Sequence, residues 1–324
     1  MSSDTDIATL GGQTMGTTWS VKLAAARSRD LHPLHAGIQR QLDRVVAQMS
    51  TWEAGSDISR YNRADAGSQH ALPEDFWQVL HAAHAIARQS DGAFDPTIGP
   101  LVALWGFGAE AGQQRAPDAV TLAATAARCG WQRLQLDDTS QTALQPGGLH
   151  LDLSAIAKGY GVDLVSRWLR AQGINAALVE VGGELHGYGR KPDGQAWRVL
   201  VETAPEEDAS ADYPPRVLAL DDLAVATSGD RWHHYEYDGN SYSHTLDPRQ
   251  HAPVTNAAAA VTVVHREAMH ADAWATALTV MGAHAGLAFA EAHGLAARFV
   301  QRSGNGLVET LSPAFQQHLD ASAA

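Results

Sequence analysis

The chain has one cysteine, Cys129, in 324 residues. That excludes an intramolecular disulfide and any site built on several thiolates. It is also poor in bases, with 23 Lys and Arg against 36 Asp and Glu and a net charge of −13. Nucleic-acid surfaces and patches for anionic lipid need clustered cations, so neither kind of partner is expected. No run of about 18 apolar residues occurs, and no membrane span is expected. The first ten residues carry no basic segment, no apolar core and no lipid-attachment cysteine. As written, the chain is expected to be cytoplasmic, whereas an earlier start bearing an export signal would make it periplasmic. Two familiar phosphate motifs are missing as well. No glycine-rich loop of the Walker type precedes Lys158, and Gly182-Gly183-Glu184-Leu185-His186-Gly187 does not open a helix as a dinucleotide fingerprint does.

Hydrophobic residues make up 45% of the chain, enough for a large core. Apolar residues at helical spacing predict helices ending near Ser50-Thr51-Trp52, over 73–90, over 117–129 and over 269–281. Alternating or short apolar runs predict strands over 13–26, 131–136, 149–153, 176–181, 197–203, 217–220, 223–226 and 260–264. A hairpin is expected to turn at Asp238-Gly239-Asn240, and a helix and two short strands to finish the chain. Hairpins without a regular βαβ rhythm predict an α+β fold with largely antiparallel sheets and packed helices. A single domain is expected over 13–324, after a disordered tail over 1–12. Residues 204–215, acidic and proline-bearing, are expected to form a mobile surface insertion.

The stretch Leu151-Asp152-Leu153-Ser154-Ala155-Ile156-Ala157-Lys158-Gly159 has two readings, a site for an anion or a capped helix whose lysine is merely solvated. It reads as a strand end running into a helix that stops at Gly173, with Lys158 in the first helical turn. A helix N-terminus attracts anions, and a lysine there adds a full charge to a place already suited to phosphate. Asp152 either caps this helix, orients a donor group on a ligand, or helps to hold a cation. Further on, Asp272 and Thr276 stand four residues apart on a helix, so a carboxylate and a hydroxyl share one face. Such a pair suits one hard cation, although a solvated Asp beside a Thr bonded back to its own helix is the commoner case. His81 and His84 share a helix face without a third ligand in reach of the sequence, and read as solvated.

Five segments in order resemble the ApbE family: Met15-Gly16-Thr17; Met49-Ser50-Thr51-Trp52 with 56–62; Gly92-Ala93-Phe94-Asp95-Pro96-Thr97; Leu151–Leu153 with 155–159; and His244-Thr245-Leu246-Asp247-Pro248 with 271–276. The resemblance spans about residues 14–282. Members are FAD:protein FMN transferases, so it implies Mg²⁺-dependent transfer of FMN from FAD to a Thr or Ser hydroxyl of a separate acceptor protein, with release of AMP. It assigns FAD contacts to Met15, Trp52, Ala93, Phe94, Asp95, Asp152, Lys158 and Leu246. It assigns Mg²⁺ to the Ala155 carbonyl, Asp272 and Thr276, and the role of base to His244. An unperturbed imidazole titrates near ~6.5, which suits a base at neutral pH. Two other readings use the same residues: an FAD pyrophosphatase, with water replacing the acceptor hydroxyl, and an FAD carrier without turnover. The chain departs from the family at Gln250 and His251, where Thr-Gly commonly follows Asp-Pro-Arg, and at Ser154, which replaces a frequent glycine.

Overall fold

The computed structural model describes residues 5–201, 216–229, 234–238, 240–254, 259–303 and 306–323. Its centre is an eight-stranded antiparallel sheet whose spatial order is its chain order: β1 (Thr5–Thr14), β2 (Thr17–Ala26), β3 (Ala177–Val181), β4 (Glu184–Tyr188), β5 (Leu223–Gly229), β6 (Ala260–His265), β7 (Ala296–Ser303) and β8 (Gly306–Leu311). Each strand pairs antiparallel with the next. The fold is therefore α+β, as the hairpin signals predicted. A meander of this kind gathers alternate connections at one end of the sheet. The β1–β2, β3–β4 and β5–β6 connections all lie at that end.

Helices α1 (His32–Met49), α2 (Glu74–Gln89) and α3 (Ala157–Ala171) come from the long connection between β2 and β3, and α4 (Ala268–Met281) and α5 (Ala283–His293) from that between β6 and β7. Trp19, Val21 and Leu23 of β2 alternate inward and are fully buried, each contributing roughly 1.5–3 kcal/mol. They meet Ile38 and Leu42 of α1 and Val162, Val165 and Leu169 of α3 in one apolar cluster. The opposite sheet face is covered by the hairpin Trp197–Leu200 with Val217–Leu220 and by α6 (Pro313–Ala323), through Leu218, Leu220 and Phe315. The stretch Ala268–His293 has the length and composition of a membrane span. It is divided at Gly282 (φ 75°, ψ 164°), and α4 buries Ala271, Ala273, Ala275, Ala277 and Leu278 in the core.

Four expectations need correction. The tail expected over 1–12 is ordered from Thr5 onward as β1, in register with all of β2. Its outer edge faces solvent, so it shows no apolar alternation, and the strand over 13–26, whose alternation suggested an edge, is paired on both sides. Residues 149–153 form no ladder. They are extended because Asn62 grips Leu151, accepting its N–H at 2.7 Å and donating to its carbonyl at 2.9 Å, while Asp152 N–H reaches the Pro96 carbonyl at 2.8 Å. The strand expected over 131–136 begins as a 3₁₀ turn, Trp131–Arg133, since the Trp131 N–H is held by the Asp95 carboxylate at 3.0 Å; only Gln135–Asp137 is strand. The C-terminus carries α6 beyond the helix and two strands expected there. The insertion expected over 204–215 and Gly239 of the expected hairpin turn lie outside the described residues.

Candidate active site

Two helices cap each other. Asp163 of α3 accepts the N–H groups of Ala268 (2.8 Å) and Met269 (2.9 Å), the orphan donors that begin α4. Asp272 of α4 in turn accepts the Gly159 N–H in the first turn of α3, at 3.1 Å. Burial pushes the Asp163 carboxyl up to about 7, against the pull of the Met269 and Ala268 N–H groups. The helices approach so closely that a Cβ at Gly159 would stand 2.3 Å from the Ala268 carbonyl oxygen. This contact sets Lys158 and Asp272 beside one another at the end of the sheet.

A cavity of about 830 Å³ opens there, within the usual size of small-molecule sites (~300–1,000 Å³). Every residue to which the resemblance gives a site role lines it: Met15, Trp52, Ala93, Phe94, Asp95, Asp152, Ala155, Lys158, His244, Leu246, Asp272 and Thr276. They arrive from separate places. Met15 and Gly16, both with positive φ (48° and 71°), form the two-residue turn between β1 and β2. Trp52 follows α1 and is 72% exposed, standing at the mouth as a free aromatic face. Ala93 and Phe94 are buried just past the turn that ends α2, with the Phe94 N–H held by the Ser90 hydroxyl at 3.1 Å. Ala155 sits in the turn before α3. Asp272 and Thr276 project from α4, one turn apart. His244 and Leu246 come from the connection between β5 and β6.

The two buried aspartates differ in what they already hold. Asp95 accepts from the Thr97 N–H (2.8 Å), the Thr97 hydroxyl (2.7 Å) and the Trp131 N–H (3.0 Å). Burial raises its pKa against these bonds, and its plain effect is to tie the 93–98 loop to the 3₁₀ turn. Asp272 is 6% exposed, and burial pushes its carboxyl up while Lys158 and the Gly159 N–H pull it down. Asp152 does not cap α3. Its Oδ1 accepts the Ser154 N–H at 2.8 Å, shaping the turn that presents Ala155. Lys158 is ion-paired with Glu184, the first residue of β4. If Lys158 makes the FAD contact that the resemblance implies, replacing it by Met weakens FAD binding roughly 10- to 100-fold, the loss of one charge-assisted phosphate contact. Fluorescence titration checks this, and unchanged affinity would remove Lys158 from the phosphate site.

Beyond His244 the chain is held firmly. Asp247 accepts from Arg249 N (2.9 Å), Nε (2.9 Å) and Nη2 (2.9 Å) and from Gln250 Nε2 (3.1 Å). His251 closes this turn at φ 58°, a left-handed backbone that disfavours any side chain. The Thr-Gly of the family resemblance fits that geometry better, and His251→Gly is expected to stabilise the protein by about 1 kcal/mol, raising the thermal midpoint by about 2 °C. An unchanged or lower midpoint would contradict the strain argument.

Several lining residues carried no sequence signal of their own: Glu180, Glu184, Thr227 and Ser228 among them. The signal for Glu184 was present as Gly182-Gly183, a glycine pair between two strands that marks a two-residue hairpin and so fixes the first residue of the returning strand.

A cavity with oxygen donors at one wall, a lysine at a helix start and a bare indole at its mouth is the equipment of an enzyme that acts on a phosphorylated ring compound. The chain belongs to the ApbE family, whose sequence profile matches residues 15–299. It is 37% identical over 311 residues to an FAD:protein FMN transferase of Vibrio cholerae, covering 96% of this chain and 92% of that protein. It is 31% identical over 318 residues to the FAD:protein FMN transferase of Escherichia coli K12, covering 97% and 90%. Among solved structures, the apo form of the Pseudomonas stutzeri flavinyl transferase ApbE superposes with a TM-score of 0.89 at 39% identity over 97% of both chains.

Proposed function

We propose that this FAD:protein FMN transferase uses Mg²⁺ to move FMN from FAD onto a Thr or Ser hydroxyl of a separate acceptor protein, releasing AMP. The observation that supports it most is the convergence of Ala155 and Lys158, His244, and Asp272 and Thr276, three segments far apart in the chain, on one cavity. The donor set is a carboxylate, a hydroxyl and a carbonyl, all hard oxygens, which suits Mg²⁺ and not a thiophilic metal. Charge argues the same way. Asp95, Asp152, Glu180, Glu184 and Asp272 line the cavity against one lysine among the described residues, so a diphosphate needs a further cation to enter. Bound there, Mg²⁺ would neutralise phosphate oxygens and favour in-line displacement.

The chain's own residues divide the remaining work. Lys158 binds a phosphate oxygen from the helix N-terminus, and Trp52 offers a stacking face to a ring of FAD. The acceptor oxygen attacks the phosphorus on the FMN side. A new oxygen–phosphorus bond forms, the bridging bond to the AMP phosphate breaks, and His244 takes the hydroxyl proton. The test is incubation with FAD, Mg²⁺ and an acceptor flavoprotein, followed by mass spectrometry and nucleotide analysis. One FMN on a Thr or Ser for each AMP released is the expected result. Free FMN with an unmodified acceptor would make the protein a pyrophosphatase, and intact FAD would make it a carrier.

A further inference from the structure

Lys158 has two buried carboxylates to choose between. Glu184 is 3% exposed and Asp272 is 6% exposed, and both line the cavity beside the lysine. A buried carboxylate without a partner is costly, so both compete for the single ammonium. The structure allots it to Glu184. Asp272, although it accepts the N–H of the very next residue, Gly159, forms no ion pair among the described residues.

The turn before Glu184 fixes this allotment. Gly182 and Gly183 have φ of 57° and 99°, and the reversal they make sets Glu184 directly opposite Val181 at the start of β4. The turn also lies close to the lysine stem: a Cβ at Gly182 would stand 3.4 Å from Lys158 Cδ and 2.8 Å from Thr17 Cγ2, so only glycine fits there. Glu180, the other acid of the turn, is already occupied. Its two oxygens accept the Gly183 N–H (2.9 Å) and the Ser20 hydroxyl (3.1 Å).

We propose that Glu184 is a positioning residue which holds the Lys158 ammonium off Asp272, still within the cavity, and so keeps the Asp272 carboxylate open to a divalent cation. This rests on Asp272 being a metal ligand, as in the proposed function. Without the Glu184 charge, Lys158 turns to Asp272 and competes with the cation for it. Glu184 therefore acts through Lys158.

Mn²⁺ alone, titrated by electron paramagnetic resonance into the full-length protein, tests this in a double-mutant cycle. Glu184→Gln keeps shape and an acceptor oxygen, and is expected to raise the Mn²⁺ Kd at least tenfold. Glu184→Asp, which keeps the charge, should stay within about threefold of the parent protein. In a Lys158→Met background the competitor is gone, and adding Glu184→Gln should change the Kd less than threefold. Equal losses with and without Lys158 would overturn the proposal, because Glu184 would then act on the metal directly or through the fold. So would no loss in Glu184→Gln while Asp272→Ala abolishes binding. If Asp272→Ala binds Mn²⁺ as well as the parent does, the metal assignment itself falls, and this inference with it.

Discussion

His244→Ala is expected to leave FAD binding near the parent level and to slow FMN transfer by about 10²- to 10⁴-fold, the usual contribution of a positioned base. The reasoning starts from how the residue is held. On its C-terminal side, Thr245 N–H is fixed by the Ser243 hydroxyl at 3.1 Å and the Thr245 carbonyl by the Val254 N–H at 3.0 Å. Next, Leu246 is buried and Asp247 is locked to Arg249. A segment restrained on this many sides delivers the imidazole to the cavity wall with little freedom, as proton transfer requires. Of the FAD contacts that the resemblance implies, only Leu246 shares this segment, and its backbone is held independently of the imidazole, so binding and rate should separate. Single-turnover transfer at saturating FAD and acceptor, beside a flavin-fluorescence titration, measures both. An unchanged rate would rule out His244 as the base.

Gly159→Ala is the second large effect, and here the readout is stability. The added methyl would lie 2.3 Å from the Ala268 oxygen, 2.5 Å from its carbon and 2.7 Å from the Met269 nitrogen. All three are backbone atoms, so no rotamer change relieves the clash and the helices must part. Parting them stretches the Asp163 and Asp272 caps, each worth about 1 kcal/mol, on top of the overpacking cost of roughly 1–3 kcal/mol. A total near 3–5 kcal/mol is a large share of the ~5–15 kcal/mol that holds a typical domain. Gly173→Ala is the control: its φ is 77° but nothing lies within 4 Å, so only the backbone term of about 1 kcal/mol applies. Urea unfolding of both variants decides. Equal stabilities would mean that the helix contact at Gly159 is not what positions Lys158 and Asp272.

Much of this was legible in the residues because it was local. The apolar spacing of Ile38, Leu42, Val45 and Met49 read as a helix, and Trp19, Val21 and Leu23 as a strand, since each pattern repeats the period of its own backbone. The i, i+4 placement of Asp272 and Thr276 needed only that period. What escaped depended on partners distant in the chain. Thr5–Thr14 shows an edge strand's exposed side and is defined by its partner, not by its own pattern. Residues 149–153 look like a strand but take their hydrogen bonds from the Asn62 side chain. Glu184 looks like any surface glutamate until the β3–β4 turn brings it under Lys158. Asp163 reads as a polar residue in a helix, yet its work is to cap another helix over 100 residues away. The long connection between β5 and β6 is where sequence patterns said least, though it carries His244.

Ala155, Asp272 and Thr276 are proposed to hold a divalent cation on which transfer depends. The most direct test is FMN incorporation into an acceptor protein, followed by in-gel flavin fluorescence with the enzyme stripped by chelator and then resupplied with Mg²⁺. The account predicts that incorporation stops on stripping, returns with added Mg²⁺, and is not restored by Mg²⁺ in Asp272→Ala. Undiminished incorporation by the stripped enzyme, or by Asp272→Ala, would contradict it.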